Sequence, residues 1–201
     1  MSWIKSIEYK DAEGRLRKIY DRIKGVDNSI DNVLKIHSLR PHSLVGHMAL
    51  YKNVLHNSNN TLPKWYLESI GVYVSYLNGC NYCVKHHFAG LKKLLNDDIK
   101  ADNFLNAIKA ETLQSHFNDK LYKGINYAKK LTIALHTITE SDIVLLKKLG
   151  FTEGEILEIN QVTSYFNYVN RTVVGLGVST KNETLGLSPN DSDNTENWNH
   201  T

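Results

Sequence analysis

Cysteine, proline and long apolar runs are all scarce in this chain. Its 201 residues include only two cysteines and three prolines. No run approaches the roughly 18 uninterrupted apolar residues that read as a membrane-spanning helix. The N-terminus also lacks the apolar core of a secretion signal. The sequence therefore predicts a cytoplasmic protein without a membrane span.

An excess of charge of one sign is also missing. The chain has 24 basic and 21 acidic residues, for a net charge of +3, and no basic cluster long enough to follow a phosphate backbone. We therefore expect no nucleic-acid partner. The length is enough for one domain with a core, or for one domain and a tail.

What the sequence does contain is helical periodicity, because apolar residues recur at three- and four-residue spacing nearly throughout. Asp11 is expected to cap a first helix that ends at Gly25. Pro41 suits the first turn of a long helix, and Thr152 with Glu155 forms a capping box for the last one. No stretch alternates apolar and polar residues long enough to predict a sheet, so the fold is expected to be all-α.

The helical pattern covers residues 1–178, which we expect to form one domain. Residues 179–201 are rich in Asn, Ser, Asp and Thr, and their only large apolar groups are Leu185, Leu187 and Trp198. This composition predicts a flexible tail, or an arm that docks on a neighbouring subunit.

The two cysteines, Cys80 and Cys83, lie three residues apart. A disulfide across so short a loop would remove little entropy from the unfolded chain. Without a secretion signal, Cys-x-x-Cys instead indicates redox or metal chemistry. Both residues are expected near the start of a helix, where the unpaired amides and the helix dipole favour a thiolate.

Helix geometry predicts which side chains share a face with the thiols. At about 100° per residue, Cys83 lies about 300° from Cys80, and His87 lies about 40° further round. His86 lies about 120° from Cys80 and is not expected to meet the thiols. The cysteines and His87 therefore share one face of the helix.

Glu68 precedes the turn at Asn78-Gly79, which should fold its helix back on the helix of the cysteines. In that antiparallel pair Glu68 is level with His87, so the predicted order in space is Glu68, His87, Cys83 and Cys80. This order provides a base, a proton shuttle and a thiol pair. Gly71 and Ser75 share the stripe of Glu68 and are expected to leave room for a cavity or a water molecule.

Other interpretations of the same residues exist. The cysteines could be inert buried thiols, and His87 or Glu68 taken singly would be an ordinary core or surface residue. Zinc could use the cysteines with His86 and His87, but a second ligand pair is missing and the two histidines point apart. A c-type haem would require histidine directly after Cys83, where Val84 stands. We therefore expect no metal and no cofactor.

The motif Glu68, Cys80, Cys83 and His87, within the stretch 77–87, resembles the alkyl hydroperoxidase D/carboxymuconolactone decarboxylase-like superfamily. The resemblance is strongest to its uncharacterised peroxidase-related branch, and it extends over most of residues 7–178, including 11–21, 32–41 and 150–171. One departure is Tyr82, which stands where the founding enzymes have a histidine between the cysteines. The decarboxylase relatives lack the cysteine pair, which argues against decarboxylation here.

The resemblance implies an AhpD-like helical fold that assembles into homotrimers or homohexamers around a helix-pair site. It also implies that Cys83 attacks a peroxide, that Cys80 resolves the sulfenic acid as a disulfide, and that Glu68 and His87 move the proton. The implied electron donor is a lipoyl-type dithiol or a thioredoxin-like protein.

The sequence thus predicts a thiol-dependent peroxidase-like oxidoreductase that reduces alkyl hydroperoxides or H₂O₂. One alternative is a disulfide reductase or adaptor that serves another peroxidase. A second alternative is a non-catalytic oligomeric scaffold in which the cysteine pair senses redox state. We expect Glu68→Gln and His87→Ala to slow the reaction of the thiols with peroxide, and His86→Ala to do little.

Overall fold

A computed structural model of the protein describes residues 2–25 and 27–200. Within these ranges the chain is helical, with three short 3-10 turns and a single isolated bridge between Pro189 and His200 in place of any strand. The all-α prediction is confirmed. The α-helices are α1 (Gly14–Ile23), α2 (Asn32–Lys35), α3 (Pro41–Leu55), α4 (Lys64–Leu77), α5 (Asn81–Leu95), α6 (Asp98–Lys109), α7 (Asp119–Ile133), α8 (Glu140–Lys148) and α9 (Glu153–Gly175).

The helix starts follow the sequence signals in most places. Pro41 opens α3, and the predicted capping box of α9 is present, with Thr152 and Glu155 each bonding the other's backbone amide. The predicted cap at Asp11 is wrong, because Asp11 lies in a 3-10 turn and Ala12 and Glu13 are extended. Helix α1 therefore begins at Gly14.

Helix α4 is the centre of the core, since every residue from Tyr66 to Ser75 is buried. It packs against α5, α7 and α9. The cavity expected beside Gly71 is absent, because Phe166 of α9 fills that space: a Cβ atom on Gly71 would lie 2.3 Å from its ring. Ser75 accepts a hydrogen bond from Asn170 at 3.0 Å.

The turn between α4 and α5 fixes the register of these two helices. Gly79 adopts a left-handed backbone with φ of +66°, which glycine tolerates without a steric penalty. The amide of Cys80 then donates to the carbonyl of Ser75 at 2.9 Å. Asn78 ties the turn to α9 by donating to the side chains of Asn167 and Asn170 at 3.1 and 3.0 Å.

The sequence predicts a flexible tail or a docking arm at residues 179–201, and the structure describes residues 179–200 in the context of one chain. Residues 179–200 lie against helices of their own chain, and Trp198 is 2% exposed beneath the guanidinium of Arg22. Composition underestimates this segment because polar contacts hold much of it, as the bond from Lys64 to Asp191 shows. Met1 and Thr201, at the outer ends of the two predicted segments, lie outside the described residues.

No α-helix within the described ranges is both long and apolar enough to span a bilayer.

Candidate functional site

The two cysteines are free thiols at the N-terminus of α5. Cys80 is the N-cap residue and Cys83 lies in the first turn; they are 1% and 3% exposed, and their sulfur atoms are 3.0 Å apart. The hydrogen bond between the sulfurs lowers the pKa of Cys80 and, together with burial, raises the pKa of Cys83. The pair therefore holds its first negative charge more readily than an isolated buried thiol would.

Asn170 of α9 is a site residue that sequence reasoning missed. The thiol and the backbone amide of Cys83 lower the pKa of Cys80, and the side chain of Asn170 lowers it further. It is 1% exposed and is oriented by its hydrogen bonds with Ser75 and Asn78. A buried asparagine in the apolar stripe of α9 was the available signal, but periodicity alone does not show which helix faces it.

Glu68 of α4 and His87 of α5 form a buried pair, with the carboxylate 2.8 Å from the ring Nδ1. Burial alone would raise the pKa of Glu68, but the charge and hydrogen bond of His87 outweigh it and hold that pKa below its ordinary value. Glu68 is therefore ionised at neutral pH, and His87 must carry its hydrogen on Nδ1. This tautomer leaves Nε2 of His87 as the basic nitrogen.

Phe166 and Tyr51 hold the ring of His87 in place. Both rings approach it edge-on, with centroids at 4.6 and 6.1 Å. Tyr51 in turn stacks on Tyr165 at 5.3 Å. The imidazole is thus held by three groups, the rings of Phe166 and Tyr51 and the carboxylate of Glu68.

A small, partly open cavity lies beside the thiol pair. Cys83, His87 and Glu68 line it together, whereas Cys80 lies behind Cys83 and does not. The remaining wall combines tyrosine and aliphatic side chains, Tyr51 and Tyr165 among them, with Asp31 and three further histidines. The cavity therefore offers one sulfur and one acid–base pair to a small molecule.

His86 lines the same cavity but has other partners. Its Nε2 lies 2.5 Å from the carboxylate of Glu183, and its ring stacks on Tyr82 at 4.5 Å. The hydroxyl of Tyr82 donates to Glu183 at 2.6 Å. Adjacent histidines thus form two separate glutamate pairs, of which the sequence indicated only the pair of His87 with Glu68.

Three further histidines are buried near the cavity and stay neutral. Burial lowers the pKa of His47 to about 3 and the pKa values of His56 and His200 to about 4. His47 and His200 line the cavity. These rings contribute neutral polar surface rather than positive charge.

Among the described residues, no three His, Cys, Asp or Glu side chains are arranged to bind a metal ion. Arg171 is exposed and bonds the backbone and side chain of Asn167, so it does not reach Glu68. The structure brings the four predicted site residues together as two contacting pairs, Cys80 with Cys83 and Glu68 with His87. Their catalytic roles stay a prediction.

Comparison with known proteins identifies the fold. No family model matches the chain, and no curated protein matches it. Several solved structures do match the chain. An uncharacterised peroxidase-related protein from Ralstonia eutropha JMP134, described as an alkylhydroperoxidase AhpD core, has a TM-score of 0.74 and 23% identity over 89% of this chain and 91% of that one. A peroxidase-related protein from Silicibacter sp. TM1040 gives the same values.

A third similar structure is the debrominase Bmp8 in complex with 2,3,4-tribromopyrrole. It has a TM-score of 0.69 and 14% identity, over 90% of this chain and 95% of that one. The chain therefore has the all-helical AhpD-type fold, and the resemblance seen in the sequence is confirmed at the level of the fold. Proteins of this fold differ in activity, so the function must be argued from the site.

Proposed function

We propose that the protein is a thiol-dependent, peroxidase-like oxidoreductase that reduces hydroperoxides through Cys80 and Cys83. The observation that carries the proposal is the shared cavity: Cys83 and the Glu68–His87 pair line it, and the second thiol lies 3.0 Å behind the first. The peroxidase-related descriptions of two proteins with the same fold support this assignment.

In the proposed cycle the Cys83 thiolate attacks the terminal oxygen of the hydroperoxide. The O–O bond breaks, the sulfur becomes a sulfenic acid, and the alkoxide leaves with a proton to become an alcohol. The thiol of Cys80 then displaces the hydroxyl as water and forms a disulfide. The sum is one hydroperoxide and two thiols giving one alcohol, one disulfide and one water.

Glu68 and His87 supply the proton transfers. A hydrogen on Nδ1, held by ionised Glu68, leaves Nε2 of His87 free to take a proton from the thiol pair and pass it to the leaving alkoxide. The first proton leaves Cys80 more readily, because its pKa is the lowered one. Transfer of the remaining proton from Cys83 to Cys80 across the 3.0 Å contact then gives the attacking thiolate on Cys83, which faces the cavity.

The burial of both sulfurs favours small reactants. A disulfide reductase or adaptor must bring its sulfur onto a partner protein's disulfide, and thiols that are 1% and 3% exposed are poorly placed for that. A hydroperoxide can enter the cavity, and a slender lipoyl-type dithiol fits it better than the surface of a thioredoxin-like protein. We further propose that the protein acts as a homotrimer or homohexamer, as the resemblance implies, and in the cytoplasm, as the sequence predicts.

The test is hydroperoxide consumption by the reduced protein with a small dithiol as donor. The wild type should turn over cumene hydroperoxide and Cys83→Ser should lose turnover. With hydroperoxide and no dithiol, Cys80→Ser should be oxidised once, to the Cys83 sulfenic acid, without forming an intramolecular disulfide. Retention of turnover by Cys83→Ser would overturn the assignment and favour a redox-sensing or scaffold role. Because a debrominase shares the fold, release of bromide from a brominated pyrrole by the reduced protein is the counter-assay.

A further inference from the structure

Residues 183–200, here called the strap, form one wall of the cavity. Gly186, Leu187, Ser188 and His200 line it together with Cys83. The strap has no regular secondary structure beyond turns and the bridge of Pro189 with His200. The site thus combines a rigid helical side with a side made from irregular chain.

Glu183 anchors the near end of the strap. Its side chain is 4% exposed and contacts Tyr82, His86 and the backbone amide of Asn32, the last at 3.2 Å. Tyr82 and His86 belong to the first turns of α5, directly beside the cysteines. This carboxylate therefore joins the strap to the helix that carries the thiols.

Gly186 brings the strap into direct contact with α5. It has a left-handed φ of +75°, and a Cβ atom there would lie 2.9 Å from the side chain of Ala89 and 3.0 Å from the amide nitrogen of Gly90. Its carbonyl accepts a hydrogen bond from Lys93 at 3.0 Å. Any side chain at position 186 would lift the strap from the helix, because the backbone of α5 cannot move aside.

Polar groups hold the far end of the strap. The buried ammonium of Lys52 donates to the carbonyl of Asn190 and to the hydroxyl of Ser192, the latter at 3.1 Å. Asp191 contacts Lys64 at 2.5 Å and His56 at 3.2 Å. These polar bonds can exchange with water when the segment lifts. Trp198, packed under Arg22 and 2% exposed, holds the end of the strap, so the part that lifts is the stretch 183–192, before Trp198.

We propose that the strap is a gate over the thiol pair, with Glu183 as its latch, and that it opens to admit the donor that reduces the Cys80–Cys83 disulfide. Reduction needs a donor thiolate to attack one sulfur in line with the S–S bond, which forms a mixed disulfide; the donor's second thiol then releases it. The donor supplies both electrons. This inference rests on the proposed function for its place in the cycle, but the gating itself does not.

The test measures how fast the reduced thiols react with alkylating reagents of two sizes, iodoacetamide and a maleimide attached to polyethylene glycol. Glu183→Ala removes the latch, and Gly186→Ala lifts the strap at a second point. Thr184→Ala is the matched control, since Thr184 is an exposed neighbour in the same segment. Circular dichroism melts check that each variant is folded.

Loss of the contacts of a buried carboxylate should raise the population of the open strap about tenfold to a hundredfold, and the alkylation rate with it. We expect this gain in Glu183→Ala and Gly186→Ala with both reagents, and an unchanged rate in Thr184→Ala. Wild-type rates in both strap variants would overturn the gate. An equal gain in all three variants would also overturn it, because it would reflect general loosening.

Failure of the gate and failure of the proposed function give different results. If Glu183→Ala and Gly186→Ala alkylate faster but no variant reacts with cumene hydroperoxide, the gate holds and the peroxidase assignment fails. If the wild type reacts with the hydroperoxide and the strap variants match it in alkylation, the peroxidase assignment holds and the gate fails.

Discussion

Two neighbouring histidines of α5 each pair with a buried glutamate, but the two pairs are built differently. His87 contacts Glu68 of α4 at 2.8 Å, and His86 contacts Glu183 of the strap at 2.5 Å. The first pair joins two helices packed along their length, whereas the second joins a helix to irregular chain. One histidine–glutamate pair is thus fixed in the rigid core, and the other includes a residue of a segment that can move away from the core.

This difference suggests that the two pairs have different roles. A proton relay needs fixed geometry, and the Glu68–His87 pair has it, because α4 is buried through Ser75 and Phe166 packs against the ring of His87. A gate needs an anchor that can be broken without unfolding the domain, and Glu183 provides it. The predictions below test whether the two pairs respond differently to the same kind of change.

The largest effect is expected on the rate of thiol oxidation. Glu68→Gln or His87→Ala should lower the second-order rate constant with cumene hydroperoxide about a hundredfold, since each removes part of the proton relay. His86→Ala should not slow this step, because its partner Glu183 belongs to the latch. Stopped-flow tyrosine and tryptophan fluorescence or intact mass can follow the reaction. Equal losses at His86 and His87 would remove the distinction between the pairs.

The next effect is on the free energy of unfolding. Glu68→Ala leaves His87 without its partner in the core and should cost about 3–5 kcal/mol. Glu183→Ala should cost about 1–3 kcal/mol, in line with the tenfold to hundredfold opening expected above, because the strap can detach while the helices stay folded. Urea denaturation measures both values. A loss at Glu183 as large as that at Glu68 would show that the strap is part of the core.

Acid should destabilise the protein through its buried neutral histidines. With the pKa of His47 held at about 3, the unfolded chain binds a proton there as pH falls below about 6.5 and the folded chain does not. Stability is therefore lost as pH falls, by about 2 kcal/mol for this residue between pH 7 and pH 5. Asp31, whose pKa burial raises to about 6, offsets part of the total because the folded state binds its proton first.

His47→Gln is the matched variant for this prediction. Between pH 7 and pH 5 it should lose less unfolding free energy than the wild type, by the roughly 2 kcal/mol that His47 contributes. An identical acid loss in both proteins would mean that His47 is protonated in the folded state.

The smallest effect concerns the packing of Phe166, which contacts both Gly71 and the ring of His87. Gly71→Ala places a methyl group against the ring of Phe166 and should destabilise the fold by about 1–3 kcal/mol. Gly46→Ala is the control, because a Cβ atom there meets nothing within 4 Å. The substitution also replaces a glycine in the interior of a helix. That variant should gain about 0.5–1 kcal/mol. Thermal melts of both variants decide the point, and a neutral Gly71→Ala would show that Phe166 moves freely.

Local patterns predicted the helical side of the site. Apolar spacing and the turn at Asn78-Gly79 were sufficient to place Glu68 level with His87, because antiparallel helices of known rise leave little choice of register. The capping signal at Thr152 also gave the correct start of α9. These features depend on residues close in sequence, or on two helices joined by a short turn.

The strap side could not be predicted in the same way. Glu183 meets His86 only through the tertiary fold, and a polar segment poor in aliphatic residues is typical of a mobile tail. Its anchors are single contacts, such as the buried ammonium of Lys52 and the packing of Trp198 under Arg22. Asn170 escaped prediction for a related reason, since helix periodicity shows that a residue is buried but not what it faces.

The most direct test of the central claim is the intact mass of the reduced protein before and after one equivalent of cumene hydroperoxide, with the modified peptide mapped. Loss of two hydrogens confined to the peptide that contains Cys80 and Cys83, reversed by a dithiol, is the predicted result. No change in mass, or oxidation as slow as that of free cysteine, would contradict the proposed peroxidase cycle.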